Sequence, residues 1–124
     1  MSVVVSVAVG GALGAVSRYG LDRVIEQRSE SSFPWSTFVI NATGCLLVGF
    51  LIAALVDRRS APEWVRAGLV VGFCGGYTTF STFGQETLDL IEADEVVLAV
   101  LNVCASVVVG VLAVLAGARL ARLV

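Results

Sequence analysis

Gly72-Phe73-Cys74-Gly75-Gly76-Tyr77-Thr78-Thr79-Phe80-Ser81-Thr82-Phe83-Gly84 closes the third of four apolar runs in this 124-residue chain. An ordinary membrane helix would carry Leu, Ile and Val here; this stretch carries four glycines and four Ser or Thr hydroxyls. Glycine costs about 1 kcal/mol relative to alanine in a helix interior, so the tandem Gly75-Gly76 reads as the place where the helical ladder opens. Irregular backbone at membrane depth survives only where it is buried in protein or lines a wet cavity. The stretch therefore reads as the functional centre, and its neighbours as the scaffold that holds it in lipid.

Composition supports a bilayer solvent. The chain is 57% hydrophobic and 15% charged, with a mean hydropathy of +0.93, whereas soluble domains carry about 25% charged residues. All eight basic residues are arginine, there is no histidine, and the net charge is −2. That balance offers no basic face for nucleic acid and removes the commonest general base and metal ligand. Cys45, Cys74 and Cys104 stand alone in separate apolar runs, so they read as small packing residues and suggest neither a zinc site nor a disulfide framework. Only Met1 and Ser2 precede the first run, and without a positive n-region a cleaved signal peptide is not expected.

Outward from the central stretch, helices are expected at about 3–21, 36–56, 67–85 and 96–118, forming one four-helix transmembrane domain. The second run, at about 1.5 Å per residue, is long enough to cross about 30 Å of hydrocarbon. In the first run Gly10 and Gly14 form a GxxxG face that admits a close neighbour, and Arg18 is the next turn of that face. Arg18 is either an arginine snorkelling from a helix end or a cation at a pore mouth. Phe33-Pro34-Trp35 suits a membrane entry point, with Ser36 or Thr37 as cap of the second helix. Asn41 in that helix is costly unless satisfied, and spacing leaves helix–helix glue and ion contact both open. Asn102, Ser106 and Gly110 recur every four residues as a small or polar stripe on the fourth helix.

These residues carry a resemblance. Gly10-Gly11-Ala12-Leu13-Gly14-Ala15-Val16-Ser17-Arg18-Tyr19, Asn41-Ala42-Thr43-Gly44 and the 72–83 stretch together resemble the CrcB/Fluc family of fluoride channels over essentially the whole chain. The resemblance implies an all-α membrane protein of four transmembrane helices, with the third broken, assembled as an antiparallel dimer in the cell membrane. It implies two narrow fluoride pores and one structural sodium ion that is not transported. By motif, the backbone carbonyls of Gly75 and Thr78 would bind the sodium. Asn41, Phe80 and Phe83 would line the pore, Ser81 and Thr82 would lie on its polar track, and Ser106 would match a fourth-helix pore serine. Asn102 stands where many members have a tyrosine.

The residue inventory agrees with that reading. Fluoride is small, hard and strongly hydrated, so a path must replace its water with closely placed donors; hydroxyls and amides serve, whereas carboxylates repel. No Asp or Glu lies inside the four apolar runs. Phe80 and Phe83 share a helix surface, and their positive ring edges can contact an anion without trapping it. On spacing alone, ordinary packing is the simpler role for the rings. Backbone opened at Gly75-Gly76 would offer carbonyls to a cation and N–H groups to an anion. If two antiparallel chains crossed there, two carbonyls from each would cage one hard cation.

Competing readings are a proton-coupled transporter of a small anion, which needs an intramembrane ionisable relay, and a non-conducting assembly subunit, which leaves the Thr-Thr-Phe-Ser-Thr-Phe run without a reason. Arginine placement bears on assembly. Arg58, Arg59, Arg66, Arg119 and Arg122 share one side, with Arg23 and Arg28, or also Arg18, on the other. This bias favours cytoplasmic termini, so the antiparallel partner is either a second copy inserted the other way or an oppositely oriented paralogue.

Overall fold

The structure, a computed structural model, describes residues 2–57 and 61–124. Arg58 and Arg59 of the charged turn, on which part of the expected orientation bias rests, lie outside the described residues. Helix α1 (Val3–Glu26) runs past Leu21, where the apolar run ends. Helical hydrogen bonding does not stop where hydropathy does, and the polar last turn is anchored: Ser36 Oγ donates to the Asp22 carboxylate, tying the end of α1 to the start of the next helix.

Helix α2 (Trp35–Leu51) starts after Pro34 and continues as a wider π-type segment, Ile52–Asp57. Neither Ser36 nor Thr37 caps it: Pro34 occupies that position, and the two hydroxyls donate to Asp22 and Glu86 instead. Phe33, Trp35 and Phe38 form an aromatic cluster at this entry, with centroids 4.7–5.9 Å apart, as expected of a chain turning into the bilayer at the headgroup level.

The third crossing is composite. It comprises α3 (Glu63–Arg66), a π-type segment Ala67–Cys74, and α4 (Gly75–Tyr77). Two extended residues, Thr78 and Thr79, follow, and then α5 (Phe80–Glu92). Helix α6 (Val96–Ala121) completes the chain. Among the described residues, three helices are long and apolar enough to cross a membrane unbroken: Val3–Glu26, Trp35–Leu55 and Val96–Ala121, with mean hydropathies of 1.4, 2.3 and 2.7. With the broken crossing, the chain is an all-α protein of four transmembrane segments.

The break lies beyond Gly75-Gly76, where glycine propensity alone puts it. Gly75 and Gly76 are helical, and the backbone becomes extended at Thr78 (φ −83, ψ 159) and Thr79 (φ −148, ψ 119). Two glycines of the stretch, Gly72 and Gly76, serve close approach instead. A methyl group at Gly76 would overlap the Gly11 carbonyl oxygen, and one at Gly10 would overlap that of Gly68. α1 and the third crossing thus meet backbone to backbone, which lipid-phase association favours because Leu against Leu gains nothing over Leu against lipid. α2 lies along α6 in the same manner, through Gly49 and Gly117. The buried residues accordingly include Ser6, Ser36, Thr37, Thr79 and Asn102 beside Ile40, Ala53, Cys74, Leu90, Ala99 and Ala121. Of the cysteines, Cys74 is buried, Cys45 half-buried and Cys104 exposed, so packing within the chain describes only the first two.

Candidate functional site

Asn41 makes the break. Its Nδ2 donates to the Thr79 carbonyl at 2.9 Å, and its Oδ1 accepts from the Thr79 N–H at 2.8 Å. One carboxamide thus satisfies both polar groups of an extended residue that is 9% exposed. The choice left open between glue and ion contact is resolved toward glue for two of the amide's hydrogen-bonding positions; the second N–H of Nδ2 is not used by either bond.

The clasp has a consequence for Gly75. In a continued helix the Thr79 N–H would bond the Gly75 carbonyl; here it goes to Asn41. The Thr82 N–H, which would reach the Thr78 carbonyl, goes instead to Thr79 Oγ1 at 3.3 Å. Thr79 is therefore the N-cap of α5, a role for which Thr is among the preferred residues. The Gly75 and Thr78 carbonyls therefore both lack their helical N–H partners. Arg18, half-buried on α1, donates through Nη1 to the Thr78 carbonyl at 3.4 Å, so it sits beside the break. Thr78 turns its hydroxyl back to the Cys74 carbonyl at 2.9 Å.

Beside the break lies a groove of about 450 Å³ walled by Asn41, Thr78, Phe80, Phe83 and Ser106, with Gly75 at its edge. No carboxylate lines it. The Phe80 and Phe83 rings are tilted by 40° with centroids 5.6 Å apart. Phe80 is 83% exposed: it stands out from the single chain. Ser81 and Thr82 are exposed on the first turn of α5 but do not line this groove, so the sequence-predicted set divides. Asn41, Gly75, Thr78, Phe80, Phe83 and Ser106 come together, Ser81 and Thr82 occupy the adjoining helix start, and Arg18 approaches from α1 through the Thr78 carbonyl.

Local patterns do not reveal Thr79 as cap, or Thr37 and Glu86, joined at 2.8 Å with the Glu86 Oε2 buried and unpartnered. The Thr79-x-x-Thr82 spacing is the one signal that would have found the cap. Asn102, read as part of a polar stripe on the fourth helix and as a departure from tyrosine, is 1% exposed and donates to Thr87 Oγ1 at 2.9 Å.

Four membrane crossings, one of them broken beside a carboxylate-free and largely apolar groove that brings Asn41, Ser106, Phe80 and Phe83 together, define a polytopic membrane protein. The profile of the family described as "CrcB-like protein, Camphor Resistance (CrcB)" matches residues 5–118. The chain is 44% identical over 121 residues to the fluoride-specific ion channel FluC of Nitrobacter winogradskyi, a match covering 98% of this chain and 96% of that one. It is 40% identical over 122 residues to the protein of that name from Chloroflexus aurantiacus (98% and 97% covered). With its namesake from Flavobacterium psychrophilum it shares 36% over 122 residues (98% of each). The chain belongs to the CrcB family, and it is a multi-pass protein of the cell membrane.

Proposed function

We infer that the chain forms a passive, fluoride-selective channel that lets the ion leave the cell and so lowers cytoplasmic fluoride and its toxicity. The observation that carries this is the carboxylate-free groove at the break, which brings Asn41, Ser106, Phe80 and Phe83 together. The names of the relatives support the same substrate. A permeating fluoride trades water for donors that hold it without a compensating charge: the Ser106 hydroxyl, the free N–H of Asn41, and the edges of Phe80 and Phe83. Ser81 and Thr82 extend the donor track along the first turn of α5, whose N-terminal end carries positive helix-dipole charge. Arg18 raises the local anion concentration beside the break.

Assembly follows from what one chain leaves open. Carbonyls without their helical partners and exposed Ser81 and Thr82 along a membrane crossing are not tolerated facing lipid. A second chain, antiparallel and crossing at the break, covers them and completes the walls around the outstanding Phe80 ring. The Gly75 and Thr78 carbonyls of both chains then form a set of hard oxygens suited to a sodium ion. That ion would be structural, neutralising converging carbonyl dipoles and linking the chains. The partner is a second copy inserted in the opposite orientation or an oppositely oriented paralogue.

Fluoride efflux from liposomes loaded with potassium fluoride, with potassium permeability supplied, tests this reading. Rapid efflux of fluoride, with chloride retained, is expected; no efflux, leaving a non-conducting subunit, would overturn it. The buried, unpartnered Glu86 Oε2 is what a proton-coupled mechanism would use. Flux abolished by removing the proton gradient at fixed voltage would favour that mechanism.

A further inference from the structure

Behind the groove, a directed chain of hydrogen bonds links its two walls. Ser106 on α6 donates to Asn102 Oδ1 at 3.4 Å. Asn102 Nδ2 donates to Thr87 Oγ1 on α5 at 2.9 Å, and the Thr87 hydroxyl donates to the Phe83 carbonyl at 2.7 Å. Ser106, Asn102 and Thr87 each donate one proton in the same sense along this chain. We propose that Asn102 is a positioning residue: it fixes the Phe83 ring and the Ser106 hydroxyl at a set separation across the groove. The proposal rests on the channel reading above.

The reason lies in how α5 is held. The two extended residues before it uncouple α5 from the helix that precedes it, so helical continuity does not fix its position. Side-chain ties do this instead: Asn41 to Thr79 at its start, Thr37 to Glu86, and Asn102 to Thr87. Of these, the Asn102 tie alone also touches Ser106, on the opposite wall. At 1% exposure Asn102 has no water to turn to, and a buried amide left unpaired is costly. The amide therefore holds α5 and α6 in one register.

The unequal bonds also matter for the ion. Thr87 is held firmly, whereas Ser106 is held by a long bond that its hydroxyl gives up at little cost when it turns toward an anion in the groove. Asn102 thus anchors the ring wall and leaves the hydroxyl wall ready to donate.

Asn102→Leu, Thr87→Val, their combination and Thr87→Ser, each in the full chain, are compared with the wild type by fluoride and chloride efflux from liposomes, with assembly checked by size-exclusion chromatography. Asn102→Leu and Thr87→Val are each expected to slow fluoride efflux ~tenfold, the change that about 1.4 kcal/mol produces, and to raise chloride leak relative to fluoride. The double variant should be no slower than either single one, because both remove the same link. Thr87→Ser keeps the hydroxyl and should restore rate and selectivity. Wild-type rate and selectivity in both single variants, or a Thr87→Ser as impaired as Thr87→Val, would overturn the proposal. If Asn102→Leu does not assemble, the two Thr87 variants decide it. A wild type that moves no fluoride instead refutes the channel reading itself.

Discussion

Asn41→Leu removes the clasp that keeps Thr78 and Thr79 extended while leaving a side chain of similar volume. Two hydrogen bonds to the Thr79 backbone are lost, at 2.9 and 2.8 Å. Each contributes about 0.5–1.5 kcal/mol, so the extended break loses about 2 kcal/mol relative to a continuous helix in which the Thr79 N–H returns to the Gly75 carbonyl. That is a shift of ~30-fold in the equilibrium between broken and continuous crossings. The break also determines which carbonyls and hydroxyls face the groove, so fluoride efflux should fall as the continuous form gains population. The interfaces of α1 with the third crossing and of α2 with α6 rest on glycine contacts that do not involve Asn41, so folded, assembled protein should persist. Liposome efflux, paired with size-exclusion chromatography and helicity by circular dichroism, measures both quantities. Wild-type efflux from an assembled Asn41→Leu variant would refute the reasoning, and loss of all folded protein would make the clasp a folding determinant first.

Replacing Phe80 or Phe83 by Ile should strongly reduce fluoride efflux without loss of folded, assembled protein, because isoleucine fills space but offers no ring edge; unchanged efflux in both would return the rings to packing. Gly10→Val should prevent stable assembly in detergent, at a cost of several kcal/mol, because the side chain would overlap the Gly68 backbone; a stable folded variant on size-exclusion chromatography would contradict the proposed backbone contact. Labelling of a cysteine placed at a C-terminal tag in intact cells should give comparable accessible and protected populations if a second copy is the partner; one orientation alone would direct the search to a paralogue.

Much of the fold was legible because membrane helices announce themselves by length and hydropathy. Gly10 and Gly14 also announced the helix contact, since small residues at that spacing have few other uses in lipid. The position of the break was not legible. Gly75-Gly76 has the local propensity to open, but the clasp comes from Asn41, distant in sequence, and local preference yields to that tertiary bond. Gly76, read as a helix opener, proves to be spacing for Gly11 on α1. The polar inventory was readable as a set, but not how it divides between donors that face the groove and groups already committed inside the protein. Thr78 turns its hydroxyl back to Cys74, Asn102 spends its amide on Thr87, and Ser106 is held only weakly. That division depends on which helix faces which, information no single run contains.

The central claim is that fluoride crosses down its own electrochemical gradient through this protein and that other ions do not set the flux. The most direct measurement is the reversal potential of current through the purified protein in a planar bilayer, with fluoride unequal across the membrane and chloride and pH varied independently. The account predicts reversal at the fluoride equilibrium potential, unmoved by a chloride or pH gradient. A reversal potential that follows the pH gradient, or lies at the chloride equilibrium potential, would contradict it.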